Sequence, residues 1–170
     1  MYSSKGILFS ELHKQIATQI SEDENTIVQI YGSDAGEILS ACRILFEAVP
    51  FLRGVDVNLG CPAECARREG YGYYFSQDAA ELLLRLKQQH PARQISAKLR
   101  LRFSLEENAQ LLAKMDATGI DRLFVHCRRS QLANSASQLE TPDHQALKDA
   151  LKQAGALKMQ VVANGGIQTK

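Results

Sequence analysis

A cysteine, Cys61, directly follows the segment Val55-Asp56-Val57-Asn58-Leu59-Gly60 and is itself followed by Pro62. Val55, Val57 and Leu59 alternate with Asp56 and Asn58, the period-two pattern of a strand with one apolar and one polar face. Gly60 and Pro62 break that strand, so the thiol falls in a loop just past its C-terminal end. Glycine there permits close backbone approach and proline pins the turn, a setting that suits a reactive group. The competing reading is packing, because free cysteines are among the most buried side chains in proteins. Metal chemistry is disfavoured: Cys61 and Cys65 form a lone C-x3-C pair, with no second pair at zinc-site spacing.

Further chemistry-bearing residues cluster at other strand ends. From Ile95 to Leu101, the apolar Ile95, Ala97, Leu99 and Leu101 share one face, which leaves Ser96, Lys98, Arg100 and Arg102 on the other. A covered parallel sheet is apolar on both faces, so cations near a strand's C-terminal end must be paired, reach solvent or serve a ligand. Gln29, Asn58, His126 and Asn164 each sit at or near the end of a largely apolar strand. Taken singly, such residues serve as turn formers, satisfied hydrogen-bonding groups or side chains snorkelling to water. Parallel strands gather their ends on one rim, and there a set of five beside a thiol has the makings of a site. Arg67-Arg68, Arg100 with Arg102, and Arg128-Arg129 follow the same ends and suit phosphates, although charge runs are usually solvated surface.

The elements that must position these groups alternate regularly. Strands are predicted over 26–31, 55–59, 95–101, 122–127 and 159–163, each rich in β-branched residues or bounded by turn formers. Between them, Asp34 with Glu37, Asp78 with Glu81, and Ser104 with Glu107 have capping-box spacing. The first of these helices carries Ile38, Cys42, Leu45 and Val49 on one stripe, the second Leu82, Leu83 and Leu86, and the third Leu111, Leu112 and Met115 up to Gly119. Thr141, with Pro142 at the first helical position, is predicted to cap a fourth helix, with Ala146, Leu147, Ala150 and Leu151 inward and Gly155 at its end. Before the first strand, Leu12, Ile16 and Ile20 recur at helical spacing, and residues 23–25 read as a turn. Five strands alternating with helices predict βαβ units and a parallel sheet, open or curled into a barrel. No G-x-G-x-x-G turn follows any strand, which counts against a dinucleotide-binding Rossmann domain.

Composition bounds the rest. With 170 residues, 45% hydrophobic and 23% charged, the chain has the makings of one α/β domain with a real core. A formal net charge of +1 supplies no global field for nucleic acid, so RNA binding would rest on local basic clusters. Four scattered cysteines and no signal-peptide pattern lead to an expectation of reduced thiols and a cytoplasmic location. No apolar run approaches the roughly 20 residues that span a bilayer.

In order along the chain, the motifs resemble those of the flavin-dependent tRNA dihydrouridine synthases. Val28-Gln29-Ile30-Tyr31-Gly32-Ser33-Asp34 resembles the family's V-Q-x-x-G-x-D, and Asp56-Val57-Asn58-Leu59-Gly60-Cys61-Pro62 its D-x-N-x-G-C-P. Glu69-Gly70-Tyr71-Gly72 resembles its Gly-rich loop, Lys98-Leu99-Arg100 its K-x-R, Val125-His126-Cys127-Arg128 its V-H-G-R, and Ala163-Asn164-Gly165-Gly166 its A-N-G-D or A-N-G-G. The resemblance implies a (β/α)8 TIM barrel holding FMN, reduced by NADPH, that saturates the C5=C6 bond of a uridine in tRNA. Carried over, Gln29, Lys98, His126, Asn164, Gly165 and Gly166 would contact FMN, Asn58 and Arg100 the target base, and Cys61 would be the general acid. Tyr73-Tyr74-Phe75 and Cys127 depart from the family's smaller residues and are expected to crowd the rim. Five strands are fewer than eight, so residues 1–170 are expected to form one partial barrel domain. The resemblance then places a first strand, a last strand and a helical tRNA-binding domain outside it. Two other readings remain open: a noncatalytic RNA- or partner-binding remnant of the barrel, and another FMN barrel such as a dihydroorotate dehydrogenase-like enzyme.

Overall fold

The computed structural model describes residues 1–20, 25–129 and 141–167. Its sheet has six parallel strands in the order β1-β2-β3-β4-β5-β6. These are β1 (Tyr2–Ser3), β2 (Ile27–Tyr31), β3 (Gly54–Asn58), β4 (Gln94–Leu101), β5 (Arg122–Arg129) and β6 (Gln160–Asn164). The helices are α1 (Ser4–Phe9), α2 (Leu12–Gln19), α3 (Ala35–Ala48), α4 (Glu64–Glu69), α5 (Ala79–Gln89), α6 (Leu105–Asp116) and α7 (His144–Ala154). Strands that follow one another in space as in sequence, joined by right-handed crossovers, carry all their helices on the same face. This is the arrangement of a partial TIM-type α/β barrel, as the alternation predicts.

That geometry explains the two-faced strands. Val28, Ile30, Val55, Val57, Ile95, Ala97, Leu99, Leu123, Val125 and Cys127 are buried against the inward stripes of the helices, among them Ile38, Leu45, Leu83, Leu86, Leu112 and Leu147. The opposite face takes the alternate residues. Gln29 lies beside Asp56 and Asp56 beside Ser96, Asn58 lies beside Lys98, Arg100 beside His126, and His126 beside Asn164. The polar residues of β4 therefore face the side away from the helices, and no charge is buried under them.

Several expectations need correction. The sheet has a sixth strand, β1, whose two residues are too short for periodicity to reveal, and α1 precedes the expected α2. The predicted turn at 23–25 lies largely outside the described residues. Only Ser104 and Glu107 form a reciprocal capping box. Asp34 and Asp78 cap their helices alone: Asp34 also receives Gln77 Nε2, and Glu37 leaves a buried Oε2 without a partner among the described residues. The cap of α7 is Asp143, which accepts from Ala146 N at 2.8 Å; Thr141 precedes it by two residues. Asp143 N donates to Cys127 O, which ties the helix start to β5 and moves the cap along. Between the thiol and α5, where the sequence pattern predicts no helix, the chain forms α4 and a 3-10 turn at Gly72–Tyr74.

Candidate active site

The Cys61 loop is held from three sides. Asn58 Oδ1 accepts the backbone N–H groups of Gly60 (3.2 Å) and Cys61 (3.0 Å), an Asx-type turn that folds the chain as it leaves β3. Arg100 Nε donates to Gly60 O at 3.0 Å from the neighbouring strand. Tyr73 N donates to Cys61 O at 3.0 Å and Tyr74 Oη to Pro62 O at 3.3 Å, so the 3-10 turn closes over the loop. Gly72 makes that closure possible, with φ +64° and no room for a side chain: a Cβ would lie 2.8 Å from Cys61 O.

Cys61 is half-buried and borders a cavity of about 220 Å³ with Asn58, Gly60, Pro62, Lys98, Leu99, Arg100 and His126. Four residues singled out by sequence, Asn58, Lys98, Arg100 and His126, thus meet the thiol at one place. Burial, then the positive charges of Arg100, Arg128 and Lys98, hold the His126 imidazole down at about 4, so it is neutral at physiological pH. Asn164 pairs with His126 across β5 and β6, and Gly165 follows at φ +89° with the His126 ring against its Cα. Neither Asn164 nor Gly165 or Gly166 borders the cavity. Gln29 lies one row deeper: Nε2 donates to Asp56 Oδ2 at 2.6 Å and Oε1 accepts from Asn58 Nδ2 at 3.3 Å.

Sequence reading did not assign a role to Asp56, which is 6% exposed and accepts from Ser96 Oγ at 2.8 Å as well as from Gln29. Burial raises its carboxyl pKa, opposed by those two hydrogen bonds and by Lys98. The alternation of β3 marked its face but not its partners. His144, whose Nε2 donates to Gly165 O at 3.0 Å, carried no sequence signal beyond its place at the start of a helix. Cys127 does not crowd the rim. It is fully buried on the helix-covered face, with Sγ toward Val125 O, and that burial raises its thiol pKa. Tyr73 does stand at the rim, with the Arg102 guanidinium 5.2 Å from its ring centre.

The dihydrouridine synthase family model matches residues 1–170. The chain belongs to that family. It is 30% identical over 148 residues to a Homo sapiens protein named tRNA-dihydrouridine(20a/20b) synthase (NAD(P)+)-like, covering 84% of this chain and 43% of the relative. A Caenorhabditis elegans tRNA-dihydrouridine synthase-like protein is 27% identical, over 100% of this chain and 58% of its own length. The Saccharomyces cerevisiae tRNA-dihydrouridine(20) synthase (NAD(P)+) is 26% identical, over 76% and 34% respectively. The chain thus spans between about a third and three-fifths of the length of these dihydrouridine synthases.

Proposed function

We propose that this chain carries the reaction centre of a tRNA-dihydrouridine synthase, in which the C5=C6 bond of a tRNA uridine is reduced with FMN as cofactor and NADPH as reductant. The observation that carries the reading is the single cavity that joins Cys61 to Asn58, Lys98, Arg100 and His126. The donor set fits the cofactor. Cationic Lys98 and a neutral His126 suit the electron-rich edge of a reduced flavin. Lys98, His126, Asn164 and the 165–166 backbone would hold the cofactor, with Gln29 supporting them from below. When bound and reduced, FMN supplies a hydride to C6 of the uracil ring.

The remaining work falls to the chain. Hydride addition at C6 leaves carbanion character at C5, which needs a proton from the face opposite the hydride. Cys61 Sγ holds that proton at the cavity edge. Arg100 and Asn58 orient the uracil, and Lys98 would stabilise negative charge on the pyrimidine ring of the flavin. A uridine reaches such a site only when swung out of its stack. The test is dihydrouridine formation in unmodified tRNA, measured by mass spectrometry with FMN and NADPH supplied. Cys61→Ala is expected to lower uridine reduction roughly 100-fold or more while leaving NADPH oxidation near normal. Equal loss in both half-reactions, or no dihydrouridine from the unaltered protein, would overturn the proposal.

A further inference from the structure

The cavity floor contains an unbroken run of hydrogen bonds that ends on the cysteine loop. Ser96 Oγ donates to Asp56 Oδ1 (2.8 Å), Gln29 Nε2 to Asp56 Oδ2 (2.6 Å), Asn58 Nδ2 to Gln29 Oε1 (3.3 Å), and the N–H groups of Gly60 and Cys61 to Asn58 Oδ1. Ser96, Asp56 and Asn58 are buried. Two primary amides stand in the middle of this run, and an amide can face either way unless its neighbours decide. Here both ends decide. At one end stand backbone N–H groups, which only donate; at the other stands the Asp56 carboxyl group, which accepts at both oxygens, from Ser96 and from Gln29.

We infer that Asp56 is a positioning residue for Cys61. By accepting at both oxygens it fixes the orientation of the Gln29 amide, which fixes that of Asn58, which in turn presents an acceptor to the Gly60 and Cys61 N–H groups and sets the thiol loop. The relay gives the aspartate and asparagine of the Asp56-Val57-Asn58 segment one shared task, reaching through Gln29 on the neighbouring strand. Its significance for catalysis rests on the proposed role of Cys61.

The polarity argument makes a sharp prediction. In Asp56→Asn, the run survives only by a reversal of Ser96, whose hydroxyl then accepts the new NH2 group and donates to Val55 O, 3.4 Å away. In Asn58→Asp, the new carboxylate still accepts from the loop but meets Gln29 Oε1, another acceptor. In the double variant Asp56→Asn/Asn58→Asp, one flip of Gln29 satisfies every position again: the amide introduced at position 56 donates to Gln29 Oε1, and Gln29 Nε2 donates to the carboxylate introduced at position 58. Asn58→Asp therefore breaks the run, Asp56→Asn alone is the milder change, and the pair together restores the run with reversed polarity.

The readout is hydrogen exchange of the Gly60 and Cys61 backbone amides by NMR on the purified chain, with Cys61 alkylation, relative to Cys65, followed by mass spectrometry. Asn58→Asp is expected to lower protection of the two amides about tenfold and change the Cys61 rate, Asp56→Asn alone to change them less, and the double variant to return both toward the unaltered values. Additive losses in the double variant would overturn the relay, since a merely structural role gives no rescue. Should the variants not fold, the unaltered chain decides the matter: the side-chain NH2 protons of Gln29 and Asn58 should exchange about tenfold or more slowly than those of exposed Gln110 and Gln145. Equal rates would overturn the relay. Neither measurement needs tRNA, FMN or NADPH, so failure here leaves the proposed reaction standing. Conversely, a chain with an intact relay that reduced no uridine would refute only the reaction.

Discussion

Gly165→Ala is the substitution whose cost follows most directly from the geometry. Gly165 has φ +89°, and a Cβ built there would lie 2.2 Å from His126 Cδ2 and 2.3 Å from Nε2. Two penalties add. A non-glycine residue at positive φ costs about 1–2 kcal/mol. Forcing a methyl against a packed ring costs about 1–3 kcal/mol more. The expected total is about 3 kcal/mol, which at an ordinary denaturant dependence moves the urea midpoint by about 1–2 M. The two parts separate in a double-mutant cycle with His126→Ala. Removing the ring abolishes the second penalty and leaves the first, so Gly165→Ala should cost only about 1–2 kcal/mol in that background, a coupling of about 1–3 kcal/mol. Urea unfolding followed by circular dichroism on the four proteins measures this. Equal costs in both backgrounds would refute the contact between Gly165 and His126, and a cost below about 0.5 kcal/mol would refute the positive φ as well.

The low pKa of His126, about 4, predicts a pH effect of definite sign. The folded value lies below the unfolded one of about 6.5, so the unfolded chain takes up the proton first, and this residue's contribution to stability is lost as pH falls through the window from about 6.5 to 4. An NMR titration of the His126 ring should give an apparent value below 5, and His126→Gln should flatten the acid limb of a stability profile; a ring titrating near 6.5 would contradict the burial and the cationic surroundings. Asp56 works in the opposite sense, because its carboxyl pKa is raised by burial: its contribution falls as pH rises from the usual carboxylate range toward that raised value, and Asp56→Asn should remove this slope. Among the thiols, half-buried Cys61 and exposed Cys65 should react with a disulfide reagent in the native chain, whereas Cys42 and Cys127, both fully buried, should react only on unfolding. Three or four fast-reacting thiols would contradict the packing of α3 and β5.

Much of the fold was legible because it rests on alternation. β4 declares both of its faces within eight residues, and the structure seats Ile95, Ala97, Leu99 and Leu101 against helices and Lys98 and Arg100 opposite them. β1 was illegible because two residues carry no period. The cap of α7 was misread because Thr141-Pro142 fits the local rule for a helix start, while the deciding hydrogen bond, from Asp143 N to Cys127 O, joins residues 16 apart. Cys127 was misplaced for another reason. Counted outward from Val125, a residue two positions on must share its face, and that alternation seats Cys127 under the helices whatever residue a family motif places there.

The same contrast explains why the candidate site could be found by sequence but not assembled from it. Strand ends reveal which residues reach the rim, yet they say nothing about how rows on neighbouring strands pair. Parallel register supplies that: Gln29 opposite Asp56, Asp56 opposite Ser96, and Asn58 opposite Lys98 form two rows, and only the upper one borders the cavity. The lower row is the more demanding of the two, because Asp56 and Ser96 are buried with polar groups that lose water on folding and must find partners in each other. A parallel sheet covered on one face tolerates such a row only when it is fully hydrogen-bonded, and full satisfaction leaves few arrangements open. The floor of the cavity is therefore stiff where its rim is charged, and Asn58, three residues before Cys61, ties the thiol loop to that floor through Gln29.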